Sequence, residues 1–197
     1  MDADTQTDHL KAYGVSYWVL QKGIKVKWLL NYRGGSFLMP NDADIKQELT
    51  IRGVSFEEAN QAEVQSILDL VASPSQNMQE VLLEKAPKIA VYTPTGKLPW
   101  DDAVTMVLTY AEIPYEKVYD KEVLNDELLL YDWLHLHHED FTGQYGKFYR
   151  SFKTAPWYIK EKQEAETLAA SLGYDKVSEA KRDVALKIRD YVIGGGF

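Results

Sequence analysis

Apolar positions recur at helical spacing along much of the chain and alternate with polar ones in the shorter stretches between. From Thr7 to Gln21 the residues Leu10, Tyr13, Tyr17, Trp18 and Leu20 fall near helical spacing, Asp8 sits in the first turn and Gly23 is placed to end the segment. Val26, Trp28 and Leu30 then alternate with Lys25, Lys27 and Leu29, and Gly34-Gly35 interrupts the pattern before the short run Ser36–Met39, which predicts a strand and a hairpin. Asn60 and Glu63 form a variant capping box ahead of Val64, Ile67, Leu68 and Val71, a helical repeat that Ser73-Pro74-Ser75 stops.

The polar, proline-bearing stretch Ser73–Asn77 is the predicted boundary between an N-terminal α/β segment (residues 1–75) and a second α/β segment (residues 76–197). In the second segment an apolar strand over Lys88–Tyr92 precedes a helix over Trp100–Glu112, which Pro114 ends, and a strand that finishes at Tyr119. Leu130–His137 reads as another strand. Pro156 opens a helix that Gly173 closes, and Ser178 caps a last one with Val184, Ile188, Tyr191 and Val192 on one face. Strands alternating with helices predict a mostly parallel sheet flanked by helices, with ligands gathering at the carboxyl ends of the strands.

Composition narrows the function. With 45% hydrophobic residues the 197-residue chain can bury a core, and a net charge of -8 disfavours nucleic acid, whose phosphates call for a basic face. The absence of cysteine excludes disulfides, thiolate zinc sites and a cysteine nucleophile within these residues. No apolar run approaches the roughly 20 residues of a membrane-spanning helix. The first residues, Met1-Asp2-Ala3-Asp4, lack a signal-peptide pattern, so the expected location is cytoplasmic and no membrane partner is expected.

Two sets of residues carry a resemblance. The strand Lys88–Tyr92, the strand Tyr131–His137 and the closing helix that runs Ile188–Ile193 into Gly194-Gly195-Gly196-Phe197 resemble the class I glutamine amidotransferase-like (flavodoxin-like) fold over roughly residues 86–197. The runs His9–Gly14, Leu29–Phe37 and His135–Gly146 are similar to a group of bacterial proteins often labelled asparagine synthetase B. In the amidotransferase-like fold a cysteine thiolate attacks the amide of glutamine, and a histidine and an acidic residue assist it after the glycine run. Here Phe197 follows that run directly, Asp2 stands where a true asparagine synthetase B has its cysteine, and no Ser-Gly-Gly-x-Asp-Ser loop occurs. The resemblance therefore implies an incomplete, inactive portion of such a protein, with no cofactor. It also implies a missing first strand around Met1-Asp2 and an exposed sheet edge open to self-association. The alternative is a noncatalytic small-molecule or protein-binding module.

The densest polar cluster is His135, His137, His138, Glu139 and Asp140, at the carboxyl end of a predicted strand. His135 and His137 share a strand face, so they are the candidate metal pair, with Glu139 or Asp140 as an oxygen ligand. The other reading makes them hydrogen-bonded histidines that order the loop or, with Glu139 and Asp140, line an organic-ligand pocket. Thr142, Gly143 and Gln144, in the run that ends at Tyr145-Gly146, are candidate backbone donors to an anion or carbonyl, and the same run suits an ordinary glycine-bearing loop. Arg33 and Ser36, around Gly34-Gly35, are candidates for holding a carboxylate or phosphate, and the same glycines suit a plain hairpin turn. Asp101 and Asp102, beside Trp100, read as complements to a helix dipole, and no serine triad can be assembled.

Overall fold

The computed structural model describes residues 6–94, 98, 101–145 and 150–197; Met1-Asp2, expected as the last residues of a missing first strand, together with Trp100 and Gly146, lie outside the described residues. The chain divides into two compact units. One holds the chain up to Ala86 together with Ala103–Pro114, and the other holds Pro87–Asp102 with Tyr115–Phe197. Contact density thus places the division at Ala86/Pro87 and not at Ser73–Asn77, because a strand beyond Asn77 pairs back into the first unit.

In the first unit, α1 (His9–Gln21) starts at Asp8, whose side chain accepts the Lys11 amide, and the chain turns away at Gly23, with φ of 76°. β1 (Val26–Leu30) and β2 (Ser36–Leu38) form the expected hairpin. α2 (Ala43–Ile51), capped by Asp42, was not legible as a helix, whereas α3 (Gln61–Val71) has the capping box of Asn60 and Glu63. β3 (Gln79–Leu83) completes a sheet of order β2-β1-β3, antiparallel throughout, with Val26 opposite Leu83 and Leu30 opposite Gln79. The expectation of a mostly parallel sheet is therefore wrong for this unit. The short connection from Leu30 to Ser36 is too brief for a crossover, so the strand can only fold back on itself.

Val15 and Val19 of α1, Val26 of β1, and Ile45 and Leu49 of α2 make the core of this unit, each fully or almost fully buried. Each such side chain contributes about 1.5–3 kcal/mol of transfer free energy. Tyr13, Trp28 and Phe37 pack on one another with ring centroids 5.2–6.1 Å apart. α4 (Ala103–Tyr110) packs against α1 in the same unit. The approach is close enough that a Cβ on Gly14 would stand 1.9 Å from the carbonyl oxygen of Ala111.

The second unit has a parallel sheet of order β5-β4-β6, formed by β4 (Ile89–Tyr92), β5 (Glu116–Val118) and β6 (Trp133–Leu136). All four residues of β4 are buried, as expected of a central strand covered on both faces. α5 (Asp120–Leu124), α6 (Pro156–Ser171) and α7 (Val177–Ile193) accompany the sheet. α5 was not predicted. Ser178 does not cap α7, because the helix begins two residues earlier than that cap would place it, with Lys176 at the cap position. Ala90, Tyr92, Val118, Val123, Leu128, Val184 and Tyr191 form the core.

After α7 the chain passes Gly194–Gly196 and Phe197 reaches the outer edge of β6. The Phe197 amide donates to the Asp132 carbonyl at 3.2 Å, and the Leu134 amide donates to the Phe197 carbonyl at 2.7 Å. Those two bonds are the pattern of a parallel bridge. Beyond that bridge, β6 has no strand partner on this side among the described residues.

Candidate functional site

The strand order of the second unit creates one special place. The chain goes from β4 to β5 on one side and returns to β6 on the other, so the connections leaving β4 and β6 part at their carboxyl ends, the place where open α/β sheets characteristically take ligands. Thr93 leaves β4 there, buried, and His137–Asp140 leave β6.

The turn after β6 aims its side chains. The Glu139 amide donates to the His137 carbonyl at 2.7 Å, closing a tight three-residue turn over His138. Glu139 Oε1 accepts from the Thr93 hydroxyl at 3.3 Å and lies 3.1 Å from His137 Nδ1. Neither ring nitrogen of His137, a residue only 3% exposed, has a hydrogen-bond partner, although the Glu139 carboxylate stands beside Nδ1. His138 stacks on His137 with centroids 4.1 Å apart. His135, still on β6, bonds through Nε2 to Asp102 Oδ1 at 3.0 Å.

The metal-ligating groups that converge here are therefore Asp102, His137 and His138, whose ligand atoms lie within 4.8 Å of one another. His135 of the expected pair is engaged with the carboxylate of Asp102. Sequence reasoning gave Asp102 only a helix-dipole role, yet it directly precedes α4 in the connection that leaves β4. A position in that connection was the signal that could have found it.

The remaining candidates fall elsewhere. Asp140 Oδ1 accepts from the amide and the hydroxyl of Thr142, both at 2.7 Å, and Thr142 Oγ1 accepts the Gln144 amide at 3.2 Å, so these side chains wind their own loop. Gly143 and Gln144 line a separate cleft of about 480 Å³ with Lys162 and Glu166 of α6 and Lys176, Val177 and Ser178 at the start of α7. A Cβ on Gly143 would come within 2.9 Å of Val177. Arg33 and Ser36 belong to the first unit: Arg33 pairs with Glu57 at 2.9 Å on the surface, and the Ser36 hydroxyl donates to the Tyr32 carbonyl at 3.1 Å.

The chain matches no family model, no curated protein and no solved structure.

A buried charged cluster that the sequence reading missed lies at the carboxyl ends of β4 and β5. Lys181 Nζ of α7 donates to Asp120 Oδ1 at 2.9 Å, to the Tyr92 hydroxyl at 2.9 Å and to the Tyr119 hydroxyl at 3.1 Å. All three ammonium protons thus have acceptors. The Tyr92 hydroxyl also donates to Asp120, and Phe141 stacks on the Tyr92 ring with centroids 4.8 Å apart. The signal was present: Lys181 sits four residues after Val177 and three before Val184, inside the apolar stripe of α7.

Burial, followed by the negative charge of Asp120, pushes the phenols of Tyr92 and Tyr119 well above their ordinary value of 10.0. In the unfolded chain both ionise near pH 10, while in the folded chain they keep their protons. The folded state then binds more protons, so its stability is intact below about pH 10 and falls as the pH rises further. Urea midpoints are expected to decline above pH 10, and Tyr92→Phe is expected to make that decline shallower. An equally steep decline in the variant would remove Tyr92 from the linkage.

Proposed function

We propose that the second unit is a class I glutamine amidotransferase-like domain, flavodoxin-like in its strand order and akin to the bacterial proteins often labelled asparagine synthetase B. It binds a small polar molecule between the carboxyl ends of β4 and β6 and performs no thiolate chemistry in these 197 residues. The observation that carries this reading is the order β5-β4-β6 continued by the Phe197 bridge. Numbered from β4, that is the order 2-1-3-4 of flavodoxin-like sheets, in which ligands sit at the switch between the first and third strands. Thr93, His137, His138 and Glu139 occupy that place, and Asp102 joins them. A thiolate step has no nucleophile here, because the chain contains no cysteine.

L-glutamine is the probe that tests this reading. Calorimetry on the 197-residue chain is expected to show binding without ammonia release, and Glu139→Ala is expected to weaken it about tenfold, the loss of one charge-assisted contact. Release of ammonia from glutamine, or no binding at all, overturns the proposal.

A protein-binding module is the second reading, and the outer edge of β6 favours it. Leu136, Val192, Ile193 and Phe197 are exposed, and beyond the Phe197 bridge the edge can accept another strand. Sedimentation of the same samples separates the two: concentration-dependent self-association supports the edge, and a monomer that binds glutamine supports the small-molecule site.

A further inference from the structure

We propose that Asp102, His137 and His138 form a binding site for one divalent first-row transition-metal ion, with zinc as the reference case. The inference rests on the same strand ends as the small-molecule site and names what would organise it.

Three observations converge. The first is proximity: one ligand atom from each residue lies within 4.8 Å of the others. Zinc bonds of about 2.0–2.2 Å require donors roughly 3.5 Å apart in a tetrahedral site, so side-chain adjustments of about an ångström bring the set together. The second is the state of His137. A buried imidazole ordinarily uses its nitrogens in hydrogen bonds, and leaving one unpaired carries an uncompensated desolvation penalty. His137 is 3% exposed with neither nitrogen bonded, and a metal ion is a partner that its lone pair can take.

The third is the surrounding shell. Ligating histidines characteristically present their second nitrogen to a carboxylate, which sets the tautomer and raises the basicity of the ligand. Glu139 stands 3.1 Å from His137 Nδ1, and a small ring rotation would align that contact and leave Nε2 for the metal. His135 holds Asp102 through Oδ1 at 3.0 Å, orienting the carboxylate. Two imidazoles and one carboxylate suit zinc or iron(II) better than magnesium or calcium, which prefer oxygen ligands. Three protein donors leave coordination positions for water, or for a carboxylate or amide oxygen of the bound molecule.

The test uses the full chain, stripped with a chelator and titrated with zinc against a chromophoric competitor. One equivalent is expected to bind, with affinity reduced tenfold or more in His138→Gln and in Asp102→Asn, and by about 10–100-fold in Glu139→Gln. His138 is exposed and Asp102 half-buried, so neither substitution endangers the fold as a change at His137 would. Cobalt(II) loading adds a visible absorption band that the same variants should lose. No stoichiometric binding, or equal zinc affinity in the His138 and Asp102 variants, overturns the site. Glutamine titrations of stripped and zinc-loaded protein keep the two proposals apart. Zinc bound without glutamine removes the small-molecule reading alone, and glutamine bound with no zinc affinity removes the metal site alone.

Discussion

Lys181→Met is expected to destabilise the second unit by about 3–5 kcal/mol, because it strands the carboxylate of Asp120 in the core without its counter-ion. The side chains of Lys181 and Asp120 are only 3% and 7% exposed, so water cannot replace the lost partner without opening the structure. Two tyrosine hydroxyls lose an ammonium neighbour in the same step. Urea unfolding followed by tryptophan fluorescence reads the loss. The double variant Lys181→Met, Asp120→Asn should lose less than the sum of the two single variants, since it removes both charges and leaves neither unpaired. A Lys181→Met variant within about 1 kcal/mol of the parent would mean that this pair is hydrated in solution and behaves as a surface ion pair.

Gly14→Ala is expected to destabilise the first unit by about 1–3 kcal/mol, although alanine is the better helix former. The propensity gain in a helix interior is about 1 kcal/mol. Against it stands a Cβ placed 1.9 Å from the Ala111 carbonyl oxygen, a backbone atom that cannot rotate aside. α1 and the end of α4 must move apart. That movement would loosen the Arg52 bond to the Ala111 carbonyl at 3.3 Å and the Lys11–Glu112 pair at 2.6 Å. The cost of forcing extra volume into a filled contact exceeds the propensity gain. Thermal unfolding should show a lower midpoint for Gly14→Ala and a still lower one for Gly14→Val. An unchanged or raised midpoint would show that the helices can separate freely.

The two substitutions mark different kinds of legibility. The Lys181 position could be found in the sequence, since a charged residue within an apolar stripe is anomalous. Its partners could not, because Tyr92, Tyr119 and Asp120 come from strand ends 61–89 residues away. Gly14 carried no signal at all: a glycine inside an amphipathic helix looks like a simple weakness until the neighbouring helix is in position.

Local physics explains what could be read in advance. Helical spacing with caps at Asp8 and Asn60, and apolar runs at Val26–Leu30 and Ile89–Tyr92, depend on neighbours within a few residues, so α1, α3, β1 and β4 follow from the chain itself. α2, α5 and β3 escaped because their patterns are short or mostly exposed, and β3 is held by pairing with β1, about 50 residues earlier. The polar character of His135–Asp140 and its place at the end of a strand were also local facts. Which of those side chains meet was not. The turn over His138, the return of Glu139 to Thr93 and the arrival of Asp102 beside His135 depend on β4 and β6 lying side by side. Sequence alone determined the elements and the chemistry available to them. Tertiary structure decided the antiparallel first sheet, the buried Lys181 cluster and the Asp102, His137 and His138 set, because each is made of contacts between residues far apart in the chain.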